Sequence, residues 1–254
     1  MLTKDRAVCL RALDYSETSQ IVTLFARLSG KLRAIAKGAK RPKSAFDGPI
    51  EALSFGTIVF SDAHKDKLAT LTEFQQQPVG SGLRRHLLSL HSVLFAAELL
   101  NALTDDYDPH PLLFDHFMQF LHDLEDEECS GQRRDVVIRL ILFQLVLLSE
   151  VGLRPVLDRC ANCKRPFSAS WRENYFSSTA NGLICRDCEM SFPDKVRLSA
   201  HAVHCLTDFK QIAQLAEPAL DEIEGVLIHH FTETLGHPPR MAKYILGDLP
   251  RRSG

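Results

Sequence analysis

The chain has 254 residues, of which 45% are apolar and 24% charged, a composition that excludes a disordered chain and is typical of a folded globular protein. The net charge of −2 conceals an asymmetry: residues 1–46 carry ten Lys/Arg and three Asp/Glu, whereas residues 98–128 carry ten Asp/Glu and no Lys or Arg. This separation favours one anion-binding face. The N-terminus has no signal-like apolar run, and the longest apolar stretch, Val136–Leu148, is too short to span a bilayer, so we expect a cytoplasmic protein.

The first 80 residues contain five short runs rich in β-branched and apolar residues, separated by turn signals. The predicted strands are Asp5–Leu13, Ser19–Arg27, Lys31–Lys37, Ile50–Ser61 and Lys67–Phe74. This pattern predicts a small closed barrel or a small sandwich.

The third predicted strand and the loop after it form the most basic part of the chain. Alternation places Lys31, Arg33 and Lys37 on one face and the small apolar residues between them inside the barrel. A stripe of one sign indicates a polyanion site, and a solvated edge strand is the alternative. Phe46 and Phe55 are candidates either for stacking on bases or for the core. The predicted DNA-binding residues are Arg27, Lys31, Arg33, Lys37, Lys40, Arg41 and Lys43.

The apolar period becomes helical from about residue 83. Further helical patterns occupy 111–124, 133–150, 194–214 and 218–235. Residues 157–192 interrupt them with paired cysteines and turn residues, which indicates a small metal-held knuckle. The predicted fold is therefore α+β and multidomain, with a β-barrel at residues 1–80 and an all-α domain at residues 81–254 into which the knuckle is inserted.

Two Cys-x-x-Cys pairs lie in this knuckle, Cys160 with Cys163 and Cys185 with Cys188. Their spacing is typical of a tetrahedral zinc site, and four thiolates leave no position for a reactive water, so we predict one structural Zn²⁺. Two unrelated thiol pairs are the alternative. Cys9, Cys129 and Cys205 are each isolated. Cys9 lies in a strand pattern and Cys205 in a helix pattern, and these two are expected in the core.

Motifs typical of zinc-dependent enzymes that act on nucleic acid, and of ATP-driven motors, are missing from the sequence. No histidine is followed two residues later by Glu, as a nucleobase deaminase requires, and there is neither a His-Glu-x-x-His motif nor a Walker A loop. We therefore expect a protein that is not an enzyme. A zinc-ribbon adaptor that acts through protein contacts is the alternative function.

Four segments of the chain together resemble one known family. The run Asp5–Ser19 has Asp14-Tyr15 and Glu17 between two strands, and Gly30–Ser44 forms a second hairpin and basic loop. Val151-Gly-Leu-Arg-Pro155 is followed by Cys160, and Leu235–Leu246 closes the chain's helical part. These segments resemble, in turn, the opening, the second hairpin with its basic loop, the approach to the zinc knuckle and the last helix of the RecO family of DNA repair proteins.

This resemblance implies an N-terminal OB-fold and a zinc knuckle within a helical domain. It also implies a bacterial, nucleoid-associated recombination mediator that binds single- and double-stranded DNA, anneals strands, works with RecR and helps RecA load onto DNA coated by single-strand-binding protein. The C-terminal tail of that protein is acidic and ends in apolar residues, so its pocket should be apolar with a cation nearby. Candidate cations are Arg84, Arg85, Arg133, Arg134 and Arg139.

Overall fold

A computed structural model describes seven ranges of the chain, and its residues form two compact units. The first unit contains residues 1–84 and 97–119, and the second contains residues 85–96 and 120–254. The described ranges are 2–41, 43–61, 68–77, 81–126, 132–168, 171–207 and 209–246. Lys67 and Cys129 lie outside them.

The first unit is built on a closed barrel of five strands. They are β1 (Leu2–Asp14), β2 (Gln20–Ala26), β3 (Gly30–Ala36), β4 (Phe55–Ser61) and β5 (Ala69–Gln77). Their order around the barrel is β1-β2-β3-β5-β4, and the pairs are antiparallel except for β3 and β5, which are parallel. This closure confirms the predicted OB-like barrel and excludes the sandwich.

The barrel core confirms the alternation predicted for β3, because Leu32, Ala34 and Ala36 are fully buried in it. The start predicted for β4 is wrong. Ile50 instead fills the core from the preceding loop, and the Gln20 amide holds it by accepting from the Ile50 N–H at 2.8 Å and donating to its carbonyl at 3.2 Å. Two backbone bonds to one buried side chain fix this loop without a strand partner.

Residues 97–119 cover part of the outer barrel face within this unit. Gly30 at the start of β3 has a positive φ of 71°, and a Cβ there would lie 2.3 Å from the Asp108 carbonyl oxygen. Glycine therefore permits the close approach of the two backbones. Phe25 packs on Phe114 with ring centroids 6.1 Å apart. An apolar contact therefore helps to hold residues 97–119 against this part of the barrel face.

Helices dominate the second unit, as the sequence predicts. The helices are α1 (Ser81–Arg85), α2 (Leu87–Leu103), α3 (Pro111–Glu125), α4 (Arg133–Glu150), α5 (Ala200–Thr207) and α6 (Glu217–Leu235). α4 matches the predicted bounds 133–150, and its run from Val136 to Leu148 is mostly buried. α2 and α3 contribute residues to both units.

One predicted helix is confirmed only in part, and another is wrong. Within the span 194–214 the structure has strand β8 (Val196–Leu198), then α5 and a 3₁₀ turn (Phe209–Gln214), and its first part is a strand because β8 pairs with β6 (Asn174–Ser177). Strand β7 (Gly182–Cys185) completes a small sheet of order β7-β6-β8. The helix expected over Leu235–Leu246 is absent from the structure. α6 ends at Leu235, because Gly236 has left-handed backbone and two prolines follow soon after, and only a short 3₁₀ turn comes next.

Candidate metal centre and nucleic-acid interface

The four predicted cysteine ligands come together in the knuckle. Their sulfur atoms all lie within 4.8 Å of one another, and those of Cys163 and Cys185 are 3.7 Å apart. A tetrahedron with metal–sulfur bonds of about 2.3 Å has sulfur–sulfur edges of about 3.8 Å. The cluster therefore has the size and the donor set to hold one metal ion.

Backbone turns place these sulfurs. The Lys164 N–H donates to the Cys160 carbonyl at 3.0 Å, and Lys164 adopts a left-handed φ of 64°, which closes the first Cys-x-x-Cys turn. β7 brings Cys185 to the first pair, since the Ala161 N–H donates to the Leu183 carbonyl at 2.7 Å. A 3₁₀ turn then begins at residue 186 and carries Cys188 back toward the cluster.

Burial and neighbouring groups shift the pKa values of two of these thiols in opposite directions. Burial raises the pKa of Cys160, but the backbone N–H groups of Cys185 and Cys163 favour its thiolate and bring the pKa to about 7. Burial and the neighbouring thiols raise the pKa of Cys185 to about 12. Four thiolates this close repel one another and need a compensating cation. The charge of a bound metal would supply that compensation and would deprotonate the coordinating thiols.

Strand β3 and the residues that flank it carry the predicted basic face, and we call β3 the basic strand. Its open end, at Arg33 and Lys37, is exposed, whereas its covered end, at Lys31, is not. At the open end, Arg33 and Lys37 are exposed and form no ion pair with the described residues. At the covered end, the Lys31 ammonium donates to the carbonyl oxygens of Asn101, at 2.8 Å, and Thr104. Only 12% of the Lys31 side chain is exposed, so the structure uses this charge internally.

Arg27 is also paired within the first unit. Its Nε and Nη2 donate to the two carboxylate oxygens of Asp115 at 2.8 and 2.7 Å. The bidentate bond raises the pKa of Arg27 and lowers that of Asp115. Asp106 lies 3.6 Å from the Lys31 ammonium. Two acidic side chains from residues 98–128 therefore neutralise the cations at the covered end of the basic strand.

The loop after β3 extends the open end. Arg41 and Lys43 are exposed, and Lys40 forms a surface ion pair with Asp14 at 2.8 Å. The loop is fixed to the β1–β2 turn, because the Lys40 N–H donates to the Thr18 carbonyl at 3.1 Å. This bond fixes the backbone of the loop at Lys40, shortly after Lys37.

Sequence reasoning missed Arg11 as a member of this surface. Simple alternation places Arg11 on the same face as Cys9, which is in the core. The β1–β2 register shifts between Cys9 and Arg11, and this bulge turns Arg11 outward, where it is exposed. Phe46 is buried in the barrel core, so the stacking role considered for it is wrong.

Comparisons with known proteins agree with this architecture. The family model described as recombination protein O N terminal matches residues 1–77, and the model described as recombination protein O C terminal matches residues 84–243. Among the described residues, no helix combines the length and apolar character that a membrane crossing needs.

Curated relatives match over most of the chain. The DNA repair protein RecO of Rhodopirellula baltica is 34% identical, covering 85% of this chain and 77% of the relative. The same protein of Bacillus pumilus is 30% identical over 93% and 90%, and that of Salinibacter ruber is 31% identical over 91% and 86%. The two family models together match most of the chain, and the relatives match it over most of its length. The chain therefore belongs to the RecO family of DNA repair proteins.

Proposed function

We propose that the chain is a non-catalytic recombination mediator that binds and anneals DNA strands and helps RecA load onto DNA coated by single-strand-binding protein. The observation that carries the proposal is the open end of the basic strand, where Arg33, Lys37 and the loop cations Arg41 and Lys43 are exposed on one barrel. This activity would place the protein with the nucleoid in the bacterial cytoplasm.

The proposed mechanism is electrostatic. Cations held on a fixed face neutralise phosphates, release their condensed counterions and reduce the repulsion between two strands, so annealing requires no covalent step. Such contacts read little sequence, because phosphates carry no base identity. Double-stranded DNA presents the same phosphates, and we expect it to bind at this surface too.

Annealing of complementary oligonucleotides coated by single-strand-binding protein tests the function. The change is the charge reversal of Arg33→Glu with Lys37→Glu in the full chain, and we expect the annealing rate to fall toward the protein-free rate. The control reverses two exposed cations of the second unit, Arg172→Glu with Lys243→Glu, which alters net charge equally. Equal rates for both double variants would refute the proposed surface.

We assign the metal of the four-cysteine cluster as one structural Zn²⁺. Four thiolates suit zinc and fill its coordination shell, so the ion would hold the knuckle together and would not activate water. The 3.7 Å separation of the sulfurs of Cys163 and Cys185 supports this assignment.

RecR and the single-strand-binding protein tail are the proposed protein partners. For the tail, a groove of about 220 Å³ in the second unit has the expected chemistry. Leu142, Leu145 and Val146 of α4 line it together with Pro155. Arg154, whose side chain is exposed, also lines it, although it was not among the cations considered from the sequence.

A fluorescent acidic peptide with an apolar, free C-terminus tests this groove by anisotropy. Arg154→Glu should weaken binding at least about tenfold, since it removes an attraction to the carboxylates and adds a repulsion. Arg159→Glu is the matched control, because Arg159 is exposed nearby but does not line the groove. Equal binding by both variants would assign the tail to another surface.

A further inference from the structure

The four sulfurs of the cysteine cluster differ in how far they are open to solvent. Cys160 and Cys185 are buried, Cys188 is half-buried and Cys163 is exposed. Oxidation of a thiolate depends on its exposure, because the oxidant has to reach the sulfur atom. A small oxidant dissolved in water therefore reaches the cluster most easily at Cys163.

Hydrogen bonds protect two of the other sulfurs but not that of Cys163. The Cys185 N–H donates to the Cys160 sulfur at 3.5 Å, and the Asn162 side-chain amide lies within hydrogen-bonding reach of the Cys188 sulfur. Among the described residues, the Cys163 sulfur has no N–H donor, and its polar contact is with the Cys185 sulfur. A thiolate stabilised by hydrogen bonds is a weaker nucleophile, so Cys163 is favoured by reactivity as well as by exposure.

A second thiol lies within reach of Cys163. The sulfur of Cys185 is 3.7 Å away, at the end of β7, where Cys185 pairs with Asn174. A disulfide needs the two sulfurs about 2 Å apart, so a closure of less than about 2 Å forms the bond. Because the two residues belong to different Cys-x-x-Cys pairs, this bond would join the pairs and leave only two thiolates for a metal.

A cation lies beside both sulfurs. The Arg165 guanidinium interacts electrostatically with Cys163 and Cys185, and Asp187 holds it by an ion pair at 2.7 Å. Reactive cysteines typically occupy such electropositive, partly exposed positions. A fixed positive charge here also stabilises the hydroxide that leaves when a peroxide oxidises a thiolate.

From this arrangement we propose that Cys163 is an oxidation site, through which a peroxide converts the knuckle from a metal-bound form to a disulfide-bonded form. The Cys163 thiolate attacks the peroxide, a sulfur–oxygen bond forms, the oxygen–oxygen bond breaks and hydroxide leaves, which gives a sulfenic acid. The Cys185 thiolate then attacks that sulfur, and a second hydroxide leaves as the disulfide forms. Two thiolates thus lose two electrons, one peroxide gains them, and Zn²⁺ is released unchanged.

This oxidation should loosen the knuckle and leave the barrel intact. Asp194 joins the knuckle to α6, since its carboxylate accepts from the Ser177 hydroxyl at 2.9 Å and its carbonyl oxygen lies 3.1 Å from Nε2 of His229. Loss of the metal removes folding energy from this region and should lower the melting temperature. The barrel contributes no ligand to the cluster, so DNA binding at its open face should be retained. The inference rests on the proposed zinc assignment and adds a redox dependence to it.

Peptide mapping of the wild-type chain identifies the first bond that forms. The zinc-loaded full chain is treated with hydrogen peroxide, free thiols are blocked at intervals with iodoacetamide, and a chromophoric chelator reports zinc release. We expect Cys163–Cys185 as the first disulfide, one zinc released for each such disulfide, and renewed zinc binding after reduction with a dithiol. A first disulfide of any other pairing, or zinc release without a disulfide, would overturn the inference.

Two histidine variants test the entry point. Cys163→His removes the exposed thiol but keeps four zinc ligands, because three thiolates and one imidazole also form structural zinc sites. Its zinc release under peroxide should be at least about tenfold slower than that of the wild type. Cys188→His is the matched control, since it gives the same ligand set but keeps Cys163, and its rate should stay within about twofold of the wild type. Equal rates in the two variants would contradict the proposal, and the wild-type mapping decides where either variant binds no zinc.

The same measurements separate this inference from the zinc assignment. Folded wild-type protein that contains no zinc rejects the assignment itself. A zinc-loaded chain that keeps its metal and its thiols under peroxide rejects the oxidation site alone. Single-strand binding is measured before and after oxidation, and a changed salt slope would contradict the confinement of the effect to the knuckle.

Discussion

Lys31 and Arg33 show how two cations on the same face of one strand acquire different roles. Arg33 is open to solvent, whereas the Lys31 ammonium lies against carbonyl oxygens of Asn101, in the last turn of α2, and of Thr104 just beyond it. A cation at a helix C-terminus satisfies carbonyl groups that lack helical partners and opposes the helix dipole. We therefore expect Lys31 to contribute to stability, and we propose Arg33 for DNA binding.

Replacing Lys31 by Gln should lower the free energy of unfolding by about 1–3 kcal/mol, because two carbonyl acceptors lose a charged donor at a mostly buried position. Chemical denaturation of the full chain measures this change. Arg33→Gln is the control and should change stability by less than about 0.5 kcal/mol, since its side chain is exposed. Comparable losses in the two variants would contradict the separation of roles.

The sequence predicts an element correctly where the local residue pattern decides its structure. It fails where contacts with residues distant in the chain decide it. The alternation in β3 and the helical period of α4 are local, and both predictions are confirmed. The bulge in β1 and the pairing of β8 with β6 depend on partners that periodicity does not show, so the outward turn of Arg11 was missed and a helix was wrongly expected over β8. The cover on Lys31 likewise comes from residues seventy positions later in the chain.

The knuckle is an element whose stability should depend on its metal. Cys188→Ser should lose zinc and destabilise the second unit by several kcal/mol, because metal-binding energy is partly folding energy. Cys205→Ala is the control, as this buried thiol lies outside the cluster and its variant should retain one zinc per chain. Elemental analysis with thermal melting measures both. Folded wild-type protein with clearly sub-stoichiometric metal would reject the assignment.

Helices α4 and α6 share a buried polar pair that should make stability depend on pH. The Gln144 amide donates to Glu224 at 2.7 Å, and burial raises the pKa of this carboxyl to about 8 from 4.5. The unfolded chain releases this proton near pH 4.5 and the folded chain near pH 8. The stability that the neutral carboxyl contributes is therefore full below pH 4.5 and is lost as pH rises toward 8.

Glu224→Gln keeps an acceptor for Gln144 and removes the ionisation. We expect little change in the melting temperature at pH 5 and a stabilisation on the order of a few kcal/mol at pH 8, since the difference grows by about 1.4 kcal/mol per pH unit. Melting curves of both proteins across this range measure it. A constant difference between them at all pH values would show that Glu224 titrates normally.

At the scale of the whole molecule, the near-neutral net charge hides where DNA should bind. Acidic residues 106 and 115 neutralise Lys31 and Arg27 within the first unit, and the remaining cations, with Arg11 added, converge on the open barrel face. The sequence predicted a basic face, but which of its charges remain available could be seen only after folding. The central claim is that DNA binds at this open part alone.

A salt titration on a labelled single strand tests this claim most directly. With four to six phosphate contacts, the slope of log K against log salt should be roughly −3 to −4. Arg33→Gln with Lys37→Gln should reduce its magnitude by about 1.4, because each contact on a single strand contributes about 0.7. Folded Lys31→Gln should keep the wild-type slope. An unchanged slope in the folded double variant, or an equal loss in Lys31→Gln, would contradict the account.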